Sequence, residues 1–131
     1  MALARIELLA GRTAAEKRGM IEAVQAAISG ALRAPAEDPW VRLIEYPPDH
    51  FLIPHPERHS DRYTLVEVTM FAGRSLETKR RLYEGIVGAL AGFDVSRGDV
   101  LIVLHEPPME SWGIDGATPA SEVDVGFKVD I

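Results

Sequence analysis

The strongest constraint in this sequence is an internal repeat, in which one pattern returns 62 positions later (12 to 74). The segment ALARIELLAGRT near the N-terminus has its counterpart in TLVEVTMFAGRS, so that Arg12 aligns with Arg74. The match continues beyond the turn, where Lys17 falls on Lys79. Because both copies also share the order of their apolar and helical segments, a tandem duplication explains them better than chance does. The chain is therefore expected to build the same unit twice.

Each unit is predicted to begin with a strand, a sharp turn and a helix. Residues 2–9 and 64–71 are short, mostly apolar runs that lead into an Ala-Gly-Arg turn, a pattern typical of buried strands. Apolar residues then recur at helical spacing, which predicts helices that lie on the sheet. Thr13 and Glu16 have the spacing of a capping box, and Ser75 can accept a hydrogen bond from a free amide of the second helix.

Each helix is followed by a second apolar run, at residues 40–46 and 100–105. A strand that is joined to its predecessor through a helix usually pairs with it in parallel. The repeats then span about residues 2–46 and 63–106, followed by a tail at 107–131. We predict an α/β (α+β) fold of tandem β-α-β units, with four strands in one sheet and two helices on one face.

Two features of this arrangement predict contacts between chains. The tail alternates apolar with polar or small residues over Glu122–Val129, which predicts an amphipathic terminal strand at a sheet edge or a subunit contact. Two helices cover only one face of a four-stranded sheet, and the other face then needs a partner. Self-association into a closed ring supplies that partner most simply.

Composition indicates one compact domain over residues 1–131 and excludes several classes of function. At 131 residues and 47% hydrophobic, the chain can bury one core but hardly two. A net charge of −6 argues against a nucleic-acid or anionic-membrane surface and favours a small ligand. There is no cysteine, and so no disulfide framework and no thiolate site. No apolar run has membrane-spanning length and the N-terminus lacks a signal-peptide pattern, so we expect a cytoplasmic protein.

A proline-rich linker at residues 46–61 joins the repeats and contains His50, His55 and His59. A three-histidine metal site is one interpretation, and a surface loop with ordinary polar histidines is the other. Prolines on both sides of His55 prevent the helical spacing that would bring ligands together, so we predict no metal site. Phe51 belongs to a short apolar patch that is a candidate to cover a substrate pocket or a neighbouring subunit.

Taken together, these features resemble the tautomerase superfamily, in the fused-repeat branch that includes malonate semialdehyde decarboxylase. The resemblance rests on the duplicated unit, the LLAGRT and MFAGRS turns, the segment Pro35–Asp38, and the loop Glu110–Gly116 with its tryptophan. It implies a homotrimer in which the sheets face inward and the helices lie outside. It also implies sites that act on small oxo, enol or haloacrylate acids without a metal or an organic cofactor.

The family's chemistry depends on an N-terminal proline that is exposed when the initiator methionine is lost, and this sequence has Ala2 there. Removal of Met1 would leave Ala2 with a primary α-amine, whose ordinary pKa is about 7.7–8.0. Such an amine can act as a base. If Met1 is retained, the amine is displaced by one residue and the family's usual arrangement is absent.

The resemblance also assigns roles to residues of this chain one by one. Asp38 falls on the decarboxylase's catalytic aspartate, although a turn carboxylate before a proline is its alternative interpretation. Arg74 falls on the arginine that binds the substrate carboxylate, a task that suits a planar two-pronged donor. A second arginine of the decarboxylase is replaced by Ala72 here, so the anion clamp is halved. Trp112 is expected to line the pocket, and Arg12 to have a structural or surface role.

Three functions remain open on the sequence. The first is an enzyme that uses the Ala2 amine with Arg74 and Asp38 on a small oxo or enol carboxylic acid, by keto-enol tautomerisation or decarboxylation, with weak or altered activity. The second is a trimeric protein that binds small anions and has lost catalysis. The third, a nucleic-acid or partner-binding module, is the least favoured because the chain is acidic and lacks an aromatic and basic surface pattern.

Overall fold

The computed structural model describes every residue from Met1 to Ile131 and contains a four-stranded mixed sheet with two helices on one face. In chain order the elements are β1 (Ala2–Leu9), α1 (Ala14–Leu32), β2 (Pro39–Tyr46), β3 (Thr64–Met70), α2 (Leu76–Ala91) and β4 (Val100–His105). The strand order is β2-β1-β3-β4. Each repeat supplies one parallel pair, and the two repeats join through the antiparallel pair of β1 and β3. The fold class predicted from the sequence is confirmed.

The turns that begin the helices have the same construction in both repeats. Gly11 and Gly73 have φ angles of 135° and 126°, a backbone conformation that an L side chain would strain. Thr13 then caps α1 in a complete capping box with Glu16, as the sequence predicts. Ser75 caps α2 by accepting a hydrogen bond from the amide three residues on. None of the helices combines the length and the apolarity that a membrane crossing requires.

The core lies between the helices and the sheet, and both repeats contribute to it. Alternate residues of the central strands point into it, and each helix adds a stripe of side chains at intervals of four. Its large, fully buried side chains are those of Ile6, Met20, Val24, Ile28, Leu32, Val66, Val68, Met70, Leu82, Ile86 and Leu90. The two helices approach closely where Gly85 of α2 faces Ala27 of α1, since a Cβ at position 85 would lie 3.4 Å from the alanine methyl.

The other face of the sheet is open, as the sequence predicts. Trp40, Ile44 and Leu101 project from it and are 60%, 37% and 48% exposed. Polar side chains lie among them, and an ion pair of 2.6 Å joins Arg5 on β1 to Glu67 directly opposite on β3. Large apolar side chains on an uncovered face mark a surface that another chain can bury.

The predicted terminal strand at Glu122–Val129 is wrong. The tail instead contains a small hairpin of β5 (Gly113–Ile114) and β6 (Thr118–Pro119), and no strand follows it. The last residues run across the turn before α2, where the carbonyl of Ile131 accepts a hydrogen bond of 2.8 Å from the amide of Ser75. The apolar residues of this stretch are half-buried, and no sheet edge pairs with the tail.

Core packing predicts a large difference between two leucines of α2. Leu82 is fully buried and Leu76 is 59% exposed. We expect Leu82→Ala to lower the free energy of unfolding by about 2–5 kcal/mol, because it removes buried methyl groups and leaves a cavity. Leu76→Ala is the matched control and should change it by about 0.5 kcal/mol or less. Urea denaturation at one fixed chain concentration measures both, and equal effects would contradict this core.

Candidate functional site

Three chain segments meet at one end of the sheet because of its strand directions. Ala2 at the start of β1 lies opposite Pro39 at the start of β2 and opposite Met70 at the end of β3. The residues just outside these positions are therefore brought together. They are the N-terminal residue, Asp38, and the turn that carries Arg74.

The N-terminal amine forms an ion pair with Asp38, at 3.2 Å from Oδ2. Partial burial lowers the pKa of this amine below its ordinary value of 8.0, and the charge of Arg74 lowers it further. The Asp38 carboxylate acts in the opposite direction and raises the pKa. The balance lies on the low side, so more of the amine is neutral near pH 7 than at an exposed terminus.

Arg74 is a buried cation with unused hydrogen-bond donors. Its exposure is 6%, and Nη1 donates a hydrogen bond of 2.8 Å to the carbonyl of Phe71. The Nε and Nη2 atoms are buried and have no partner. Burial lowers the pKa of Arg74, against the opposing effect of Glu106 and Asp38, although a guanidinium stays charged at neutral pH. Two free donors on a planar cation beside an amine form a ready site for a carboxylate.

Glu106 is a charged neighbour of Arg74 that the sequence analysis did not assign to the site. It follows β4 directly and forms an ion pair of 2.8 Å with Lys79 of α2. The first repeat has the same pair, Lys17 with Glu45, also at 2.8 Å. The second strands of the two repeats align at an offset of 61, one less than the turns, and at that offset Glu45 falls on Glu106. This alignment could have identified Glu106 as the residue that ties α2 to the sheet beside the site.

Trp112 lies beside the site, on Phe71. The two rings are 4.8 Å apart between centroids and meet edge to face, and the indole Nε1 donates to the carbonyl of Pro107. Since Phe71 also accepts the Arg74 hydrogen bond, the tryptophan-containing loop is linked through one residue to the guanidinium.

The two other predicted site residues, Ala2 and Phe51, do not place a functional group beside Arg74 within this chain. Ala2 is 2% exposed, and the amine at the site is that of Met1, which precedes it. Phe51 lies at the opposite end of β2, where its ring is 5.5 Å from that of Tyr46. Within one chain the structure therefore brings together the amine, Asp38, Arg74 and Trp112, but not Phe51.

The three linker histidines do not converge. Each faces a different carboxylate, in the pairs His50 with Asp49, His55 with Glu57, and His59 with Asp99. No group of three or more His, Cys, Asp or Glu side chains is arranged to hold a metal ion. The groups that could act as acid or base are therefore those beside Arg74, namely the N-terminal amine and Asp38.

The sequence and the structure both match known proteins. A family model described as tautomerase enzyme matches residues 38–115. The matched span contains Asp38, Arg74, Glu106 and Trp112, but not the N-terminus.

Three solved structures are similar over most of the chain. A malonate semialdehyde decarboxylase, described with decarboxylase and hydratase activities, has 26% identity and a TM-score of 0.77, covering 86% of this chain and 89% of its own. Another, inhibited by 3-bromopropiolate, has 28% identity and a TM-score of 0.80, with 89% and 92% covered. A fused 4-OT, solved as a symmetric trimer, has 25% identity and a TM-score of 0.81, with 91% and 96% covered.

The site predicts opposite effects of its two charged side chains on the N-terminal amine. In the chain that retains Met1, Asp38→Asn should lower the amine pKa, since it removes the group that raises it. Arg74→Gln should raise the pKa, because it removes a nearby positive charge.

The pH dependence of acylation of the N-terminal amine, followed by mass spectrometry, measures this pKa. Asp49→Asn, at a highly exposed carboxylate of the linker, is the matched control and should leave it unchanged. Shifts of the same sign in Asp38→Asn and Arg74→Gln would contradict the geometry.

Proposed function

Because the chain belongs to the tautomerase family, we propose that it acts on a small oxo or enol carboxylic acid, by keto-enol tautomerisation or decarboxylation. The observation that carries this proposal is the buried guanidinium of Arg74, which has two free donors at the end of the sheet where the N-terminus lies. Two similar structures, described as malonate semialdehyde decarboxylases, support the same class of substrate.

In the proposed reaction each residue of the site has a separate role. The substrate carboxylate accepts hydrogen bonds from Nε and Nη2 of Arg74, which satisfies two buried donors and fixes the substrate's orientation. The neutral amine then removes a proton from the substrate and returns it at the other end of the keto-enol system. Asp38 precedes Pro39, which lies opposite Ala2, and its carboxylate orients the amine, while Trp112 on Phe71 shields the site from water. The proton that is taken is given back, so the tautomerisation balances with no cofactor.

The identity of the amine decides how strong this activity is. We propose that Met1 is removed and that Ala2 supplies the amine, since a small second residue favours removal. The amine then moves about 3.3 Å along β1, which is the rise of one residue in a strand. A primary amine has more orientations than the ring amine of a proline, and we therefore expect weak or altered activity compared with the family.

A second candidate function is a non-catalytic protein that binds small anions. It is favoured by Ala2 in place of the family's proline and by Ala72 in place of a second arginine. Arg74 would then bind a carboxylate, and the amine paired with Asp38 would only complete the anion site.

We further propose that three chains associate through the open sheet face, in the cytoplasm. The exposed Trp40, Ile44 and Leu101 supply apolar surface for the contact. The similar fused 4-OT structures described as symmetric or asymmetric trimers support this number of subunits. Phe51, which is remote from Arg74 within one chain, could reach the site only from a neighbouring chain.

Assembly is tested by sedimentation equilibrium at micromolar concentration, where we expect the mass of three chains. Leu101→Lys places a charge on the open face and should shift the protein toward monomer. Leu52→Lys is the control, since Leu52 is 94% exposed in the linker. A native protein that remains monomeric would overturn the proposal.

Activity is tested with Ala2→Pro. We expect this substitution to raise tautomerase activity on an enolpyruvate-type substrate above that of the native protein, provided that intact mass shows Met1 removed in both. The reason is that a proline amine is fixed in orientation and more basic, while Arg74 and Asp38 stay in place. Arg74→Ala should abolish the activity, and Arg12→Ala should preserve it.

Borohydride trapping separates the enzyme from the non-catalytic protein. A primary amine can condense with a substrate ketone to give an imine and water, and borohydride then reduces the imine to a stable secondary amine on Ala2. An adduct on native Ala2 supports an enzyme that works through an imine. If Ala2→Pro gains no activity and no adduct forms, the non-catalytic function is the correct one.

A further inference from the structure

A cavity of about 400 Å³ lies at the opposite end of β1 from the N-terminal amine. Its wall includes the turn at Gly11 and Arg12, together with Pro48, Asp61 and Arg62 of the linker. This cavity is separate from the site at Arg74, and none of its residues takes part in the proposed reaction.

Arg12 also places a guanidinium with an unused donor in this wall, although its partner is a carboxylate and that of Arg74 is a backbone carbonyl. Its side chain is 9% exposed, and Nη1 forms an ion pair of 3.1 Å with Glu16. The Nη2 atom is buried and has no hydrogen-bond partner. An unsatisfied donor on a buried cation is costly, and an anion in the cavity would supply the missing acceptor.

The antiparallel pairing of β1 with β3 gives the two places equivalent positions in the sheet. The end of β3 lies beside the start of β1, which brings Arg74 to the N-terminal amine. The end of β1 lies in the same way beside the start of β3, which brings Arg12 to Asp61 and Arg62.

The carboxylates that precede the outer strands differ between the two places. Asp38, before β2, faces a free amine. Asp99, before β4, accepts hydrogen bonds from the amide and the hydroxyl of Ser60, and the hydroxyl bond holds its pKa below the ordinary value. It also contacts His59. The second place therefore has an anion site but no free amine to act as a base.

We propose that this cavity binds a small carboxylate and does not transform it. Arg12 supplies the main contact, and Arg62, whose side chain is exposed at the cavity, adds a second positive charge. Asp61 forms no ion pair within the chain and lies in the same wall, so it can accept a hydrogen bond from a hydroxyl on the ligand. The ligand class is thus a small hydroxy acid, and one molecule binds in this cavity of each chain.

The test uses lactate as the probe and backbone amide NMR shifts of the full-length protein as the readout. The amide of Gly11 reports on this cavity, and that of Gly73 reports on the site at Arg74. We expect a saturable shift at Gly11 in the native protein. Arg12→Gln should weaken the affinity for lactate, measured from this shift, about tenfold because a charged hydrogen bond is lost. Arg62→Gln should weaken the affinity to a smaller extent.

Glu16→Gln is the sharpest variant, because it keeps the capping-box acceptor while removing the charge that competes for Arg12. With Nη1 released, the guanidinium can turn toward the cavity, and lactate should bind about two- to fivefold more tightly. A Gly11 shift that is absent, or that is unchanged in Arg12→Gln, Arg62→Gln and Glu16→Gln, would overturn the proposal. The Gly73 shift tests the Arg74 site independently, so the two proposals can fail separately.

Discussion

The antiparallel pairing of β1 with β3 is the constraint on which the rest of the structure depends. It joins two β-α-β units that would otherwise each expose a sheet edge, and it builds one core from both repeats. Because the strands run in opposite directions, the end of each one meets the beginning of the other. Each Ala-Gly-Arg turn therefore lies next to the chain segment that enters the opposite repeat, and the location of the functional groups follows from this one pairing.

A buried guanidinium makes this arrangement chemically useful. A charge that leaves water without a full set of partners is unfavourable, and Arg74 has only one hydrogen bond, to the carbonyl of Phe71. Glu106 and Asp38 are close enough to offset part of this cost through their charge. Their carboxylates do not accept hydrogen bonds from Nε and Nη2, so these two donors remain available to a planar anion. They lie beside the amine, whose pKa is lowered by burial and by the charge of Arg74.

The features that the sequence could predict are those set by local patterns or by the repeat itself. Thr13 with Glu16 and the Ala-Gly-Arg turns depend on residues within a few positions, and the duplication then gives the strand and helix order twice. The prediction of a terminal strand is wrong because the alternation at 122–129 does not reveal whether a sheet edge or the turn before α2 lies against the tail. The position of Phe51 could not be predicted either, since the path of the linker depends on where Asp99 anchors Ser60.

The duplication within one chain also determines why the two places cannot be chemically equal. A chain has one N-terminus, so only Asp38 can face a free amine, whereas the matching carboxylate, Asp99, faces the peptide amide of Ser60, which has no basic lone pair. Burying the guanidinium is nevertheless unfavourable at Arg12 for the same reason as at Arg74, because each side chain has a buried donor without a hydrogen-bond partner. The electrostatic half of the site is therefore present twice, while the proton-transferring half is present once. The single N-terminus therefore explains why the second place, where Arg12 can bind an anion, has no base to react with it.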